Sequence, residues 1–135
     1  VLNKVRLTAN NAASDGGGLF LSINNSVNNG QKTPVVATAL FVSGNSATGR
    51  ASAATAPGGS GSGGGGGGIT VQRGILSVLN AAIVNNTSAK VGGGILIGNV
   101  LNGGATAVTD MGAIRLANTT IANIKLNKAA ILQTK

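Results

Sequence analysis

Apolar residues alternate with small or polar ones in short runs along this chain. Ile69 and Val71, Leu76 and Val78, Ile95 and Ile97, and Ile114 and Leu116 each stand two apart. A period of two is the pattern of a β-strand with one face buried. The cleanest stretch predicts three short strands, over residues 69–71, 75–79 and 82–85, separated by turns. Strands of this length do not make a stable sheet alone, so they need lateral copies of themselves.

The chain supplies such copies. The fourteen residues 84–97, Val-Asn-Asn-Thr-Ser-Ala-Lys-Val-Gly-Gly-Gly-Ile-Leu-Ile, resemble residues 8–21, Thr-Ala-Asn-Asn-Ala-Ala-Ser-Asp-Gly-Gly-Gly-Leu-Phe-Leu. The triplet Gly66-Gly67-Gly68 precedes Gly92-Gly93-Gly94 by 26 positions, and Gly16-Gly17-Gly18 precedes it by 76, close to three such steps. Met111-Gly112-Ala113-Ile114 reads as a weaker fourth instance. Residues 79–85 match residues 117–123 at an offset of 38, one step plus a 12-residue insertion around residues 102–109.

Self-similarity of this kind calls for a stacked fold. Three short strands per step describe one coil of a parallel β-helix, each strand pairing with its equivalent about 4.8 Å away. The expectation is an all-β solenoid of roughly four to five coils, residues 1–135 forming one segment. Gly16, Gly17, Gly18, Gly92, Gly93, Gly94 and Asn86 are read as turn residues, since Gly and Asn tolerate the left-handed backbone. Asn85 or Asn86, stacked in register, is placed to build an amide ladder. Two stretches break the frame: a flexible glycine-rich loop at about residues 51–65 and a turn insertion at about 24–34. The coil ends would expose unpaired backbone and apolar surface. Self-association or continuation into further coils would cover them, and the chain reads as part of something longer.

Composition narrows the function. Hydrophobic residues are 42%, yet aromatics are 1% and Trp and Tyr are absent, so the core consists of many small aliphatic layers. Gly is 23 of 135 residues, without a three-residue period, which excludes collagen. Ten Lys and Arg against Asp15 and Asp110 give a formal charge of +8, which favours an anionic neighbour such as an acidic polysaccharide. Arg73, Lys90 and Arg115 are the candidate polyanion contacts. There is no Cys, and no window holds the eighteen uncharged apolar residues of a membrane span.

Enzymatic and cofactor chemistry find little footing. A sugar-processing site needs clustered carboxylates, and this chain has two distant Asp and neither Glu nor His. Asp15, just before a glycine turn, is expected to bond backbone. Metal ligands are equally lacking. The Gly58–Gly68 run lacks the Lys and Ser/Thr of a nucleotide loop, so no cofactor is expected. Nucleic-acid binding would use stacking aromatics, but Phe20 and Phe41 sit in strand contexts that point to core packing. Asn-x-Ser/Thr occurs at Asn24, Asn85, Asn86 and Asn118, the candidate N-glycosylation positions.

At Asn85-Asn86-Thr87-Ser88-Ala89 followed by Gly92-Gly93-Gly94-Ile95, the chain resembles the repeats of polymorphic outer membrane proteins. Those carry a Gly-Gly-Ala-Ile/Leu-type motif and an aromatic-x-x-Asn motif. It is similar also to the wider class of extracellular right-handed β-helix repeat proteins. Ile83 takes the aromatic place before Asn86, and Phe41 precedes Gly44 in a degraded copy. The resemblance implies the right hand of the helix and an extracellular or cell-surface setting, in adhesion or a surface layer. The function expected is therefore non-enzymatic and structural, a rod, filament segment or adhesin stalk. The alternative is a non-catalytic module for anionic polysaccharide.

Overall fold

A computed structural model of the chain describes residues 1–13, 15–23, 34–48, 65–89, 92–97 and 112–126. Of the insertions expected at 24–34 and 51–65, all but Pro34 and Gly65 lie outside the described residues, as does the stretch 98–111.

The described residues are all β, with parallel strands in three curled sheets. Sheet A takes β1 (Leu2–Asn3), β2 (Arg6–Thr8), β5 (Val35–Thr38), β6 (Phe41–Ser43), β9 (Ile75–Val84) and β12 (Ala113–Ala122). Sheet B takes β3 (Asn11–Ala12), β7 (Ser46–Ala47), β10 (Thr87–Ser88) and β13 (Lys125–Leu126). Sheet C takes β4 (Leu19–Ser22), β8 (Ile69–Arg73) and β11 (Ile95–Ile97). The chain thus visits A, B and C in the same order three times, then A and B once more.

Register explains the core. Leu2, Ala37, Val78 and Leu116 form one column across sheet A, and Leu7, Val42, Ile83 and Ile121 form another. Leu19, Ile69 and Ile95 form a third in sheet C, beside Leu21, Val71 and Ile97. The middle members of these columns are fully buried and pack together. The apolar residue of each alternating pair therefore points inward, as the period of two predicts.

Each pass turns at left-handed residues that also stack. Lys4, Ala39, Asn80 and Asn118 share one corner, with φ between 46 and 55°. Ala9, Gly44, Asn85 and Asn123 share the next, with φ between 52 and 67°. Gly16, Gly66 and Gly92 share the third, at 67, 64 and 63°. Asn80 bends β9 without ending it, so the two predicted strands 75–79 and 82–85 are one continuous strand.

Several expectations need correction. The Gly16 and Gly92 triplets are two passes apart, not three, because β4 pairs with β8 and β8 with β11. The step length varies with the number of residues between successive strands. Ala113-Ile114 is not a fourth glycine-triplet strand: it lies in sheet A opposite Ile75-Leu76, while residues 69 and 95 belong to sheet C. Phe41 faces Ala82, and it is Val42 that faces Ile83. Phe41 accordingly points away from the core and carries the Arg6 guanidinium 4.9 Å above its ring. Phe41 is half-buried there, while Phe20, between the inward Leu19 and Leu21, is exposed. The two-residue strands of sheet B carry no period and were invisible in the sequence.

Candidate functional site: the asparagine ladder and the corner residues

The most organised polar feature is a line of amides inside the turn between sheets A and B. Asn45 and Asn86 are buried, at 1% and 0% exposure, directly behind the left-handed Gly44 and Asn85. The Asn86 Oδ1 accepts the Asn45 backbone N–H at 2.9 Å and the Asn45 Nδ2 at 3.0 Å. The Asn45 Oδ1 accepts the Asn10 backbone N–H at 3.0 Å and the Asn10 Nδ2 at 2.9 Å. Each buried Nδ2 also donates backward, Asn45 to the Leu7 carbonyl at 2.8 Å and Asn86 to the Val42 carbonyl at 3.0 Å. The expected amide ladder is therefore Asn10–Asn45–Asn86, and it clamps three successive passes. Burying amides is tolerable only because their bonding capacity is met this fully.

The glycine triplets stand in register next to it. Gly16, Gly17 and Gly18 donate to the carbonyls of Gly65, Gly66 and Gly68, at 3.0, 3.1 and 2.9 Å. Gly67 donates to Gly92 at 3.0 Å, and Gly68 to Gly93 at 3.2 Å. These N–H groups are spent on neighbouring passes and do not form an open anion cradle. Asp15 accepts the Gly65 N–H at 2.8 Å, the backbone role expected of it.

The other candidate residues scatter. Arg73 ends β8 in sheet C opposite Ser22, and Arg115 lies in sheet A opposite Ser77, so they do not share a column. Lys90 and Asn24 lie outside the described residues. Of the glycosylation candidates, Asn85 and Asn118 are exposed at corners, and the Asn118 Nδ2 donates to the Asn80 Oδ1 at 3.2 Å. Asn86 is fully buried with its Nδ2 occupied, so the folded chain cannot offer it as a glycan acceptor, and its place is in the ladder. A shallow depression of about 460 Å³ is lined by Asn85, Thr87, Asn123 and Ile124, none of them titratable.

Among the described residues no three His, Cys, Asp or Glu gather as metal ligands. No helix there is long and apolar enough to cross a membrane, a statement that does not bear on strand-built membrane barrels. Comparison with known proteins found no matching family model, no matching curated protein and no matching solved structure.

Proposed function

We propose that this chain is a coil segment of a right-handed parallel β-helix that serves as a non-enzymatic structural rod outside the cell, in a filament, a surface layer or an adhesin stalk. The observation that carries the reading is the stacking of every structural device from pass to pass. Aliphatic columns, left-handed corners and the Asn10–Asn45–Asn86 ladder all repeat along one direction. Such an arrangement resists bending because each layer bonds its neighbour through backbone and side chain alike. The insertions fall between strands of different sheets in the chain order, so the columns within each sheet stay uninterrupted. The repeat at Asn85–Ala89 and Gly92–Ile95, similar to polymorphic outer membrane proteins, adds the extracellular setting.

Antibody against this chain should label intact source cells, and cryo-electron microscopy of the isolated material should reveal rods layered at about 4.8 Å. Labelling only after permeabilisation, or globular particles without that layering, would overturn the reading. Salt-sensitive retention on an anionic polysaccharide, lost in Arg73→Ala with Arg115→Ala, would instead favour the binding module.

A further inference from the structure

The fourth pass exposes what the earlier passes bury. Leu116 and Ile121 are 41% and 42% exposed, while Val78 and Ile83, one pass earlier in the same columns, are 1% and 0%. Ile97, ending the sheet C column, is 45% exposed above a fully buried Val71. The first pass is the opposite end, where Leu2 and Leu7 are only partly covered.

We infer that a second copy of this chain docks on this end, head to tail, setting its first pass on the fourth pass of the copy below. This rests on the stacked-rod reading. Residues 2–12 hold in the first pass the places that residues 116–126 hold in the fourth. The junction would therefore set Leu116 against Leu2 and Ile121 against Leu7 of the next copy. It also matches bends. The left-handed corners Asn118 and Asn123 are five residues apart, and so are Lys4 and Ala9. A strand lacking those two corners would leave this edge after a few residues.

Charge tolerates most of this register. Asn118 meets Lys4 and Thr120 meets Arg6, so these two cations face neutral side chains, while Arg115 meets Val1 and its N-terminal ammonium, the one like-charge encounter among these pairs. Sheet C has no described strand in the fourth pass, so β4 of the next copy would stand two strand spacings from β11. Sheets A and B carry the contact. Such an interface uses different surfaces on the two partners and repeats without closing, so its product is a polar filament.

The chain has no native cysteine, which makes the register directly testable. Thr8→Cys with Ala122→Cys puts thiols at places that would be neighbours only across the junction, within disulfide reach. Oxidised glutathione should convert this variant into a ladder of covalent oligomers beyond the tetramer, collapsed by reductant. The out-of-register pair Thr8→Cys with Ala113→Cys should not form that ladder. Ser43→Cys with Val84→Cys, partners inside one chain, reports on the fold itself and should close within a monomer. If that internal bridge closes while Thr8→Cys with Ala122→Cys stays monomeric or stops at dimers, the junction is wrong and the fold stands. If the internal bridge fails, the stacked reading falls and the junction with it. Unmodified protein should grow in sedimentation velocity as concentration rises, and a monomer at all concentrations overturns the inference.

Discussion

Replacing Asn45 by Ala removes the centre of the ladder, and the cost follows from its partners. The side chain takes part in four hydrogen bonds, two with Asn10 and one each with the Leu7 carbonyl and the Asn86 Oδ1. Asn10 is exposed, so water replaces its two bonds and their loss costs about 0.5 kcal/mol each. The Leu7 carbonyl and the Asn86 amide lie toward the interior. Losing those bonds costs about 1 kcal/mol each, and the small void and the poorly solvated carbonyl left behind add about another 1. Asn45→Ala should therefore destabilise by about 3–4 kcal/mol, a large share of the roughly 5–15 kcal/mol typical of a domain. Asn10→Ala, which leaves the backbone N–H bond in place, should cost about 0.5 kcal/mol.

Equilibrium urea unfolding of the three proteins measures both numbers. An Asn45→Ala cost below about 1 kcal/mol, or equal to that of Asn10→Ala, would refute the view that the ladder holds the passes together. Asn45→Asp sharpens the test. It keeps the shape but turns an oxygen toward the Leu7 carbonyl and the Asn86 Oδ1, where a donor stood. The two Asn10 donors stay on the other oxygen and favour the charge, but burial and the two facing acceptors oppose it more strongly and hold the carboxyl above its unfolded pKa of about 3.9, so the native state binds more protons than the unfolded one. Stability of this variant should then rise as pH falls through the folded pKa, and level off below the unfolded value.

The remaining predictions concern corners, glycines and columns. Ala39 sits at φ 54° in the column that holds Asn80 and Asn118, so Ala39→Asn should relieve strain and raise stability by about 0.5–1 kcal/mol, read as a higher melting temperature. A decrease would mean the corner is not left-handed in solution. Gly67→Ala would drive a methyl into the carbonyls of Thr87 and Gly93, whereas at Gly44 the added methyl makes only an ordinary contact, 3.9 Å from the Ala9 backbone nitrogen, and costs only its φ of 67°. The first should cost more than about 3 kcal/mol or yield insoluble protein, and the second about 1, compared by soluble yield and urea unfolding. Ile83→Ala should cost about 2–5 kcal/mol and Ile121→Ala, in the same column, under about 1 in dilute protein. Equal costs at low concentration would show that the fourth pass is already covered.

How much of this was legible in the sequence depended on whether a position is defined by residue type or by place. The strands of sheets A and C announce themselves because their inward residues are all aliphatic, and the matches between residues 66–71 and 92–97 and between 79–85 and 117–123 are both pairings in the structure. The count of passes between the first and last triplets was not legible, since insertions change the step and only register restores it. The left-handed corners were legible at Gly16 and Gly92, fell one residue off at Asn86, where the positive φ belongs to Asn85, and were hidden at Lys4, Ala9 and Ala39, residues with no intrinsic preference for that backbone. Asn45 gives no local sign of burial. Its neighbours Gly44 and Ser46 differ from Asn85 and Thr87, and only the pairing of Ser46 with Thr87 aligns the two amides. The outward aspect of Phe41 follows from strand parity, which one residue of misalignment reverses.

The glycine triplet and the asparagine, which look like two motifs, act as one device spread over neighbouring passes. Only the first glycine of each triplet has a left-handed φ. The second is excluded from bearing a side chain by carbonyls of the following pass, Ser46 and Gly67 for Gly17, Thr87 and Gly93 for Gly67. The third lies flat against the ladder: a Cβ on Gly18 would be 3.0 Å from the Asn45 Nδ2, and one on Gly68 3.0 Å from the Asn86 Nδ2. The Gly68 and Gly94 carbonyl oxygens come closer still, 2.8 and 2.6 Å from those Cβ positions, so the glycine of one pass is required first by the backbone of the next and then by its asparagine. The fourth pass tests this reasoning internally. The place after Asn86 in the ladder falls at Ile124, which lacks an amide, and the position beside Gly94 is correspondingly filled by the Ile124 Cδ1. Because each triplet is fitted to the pass above it, transplanting one repeat without its upper neighbour would carry the glycines' entropic cost and lose the packing that requires them.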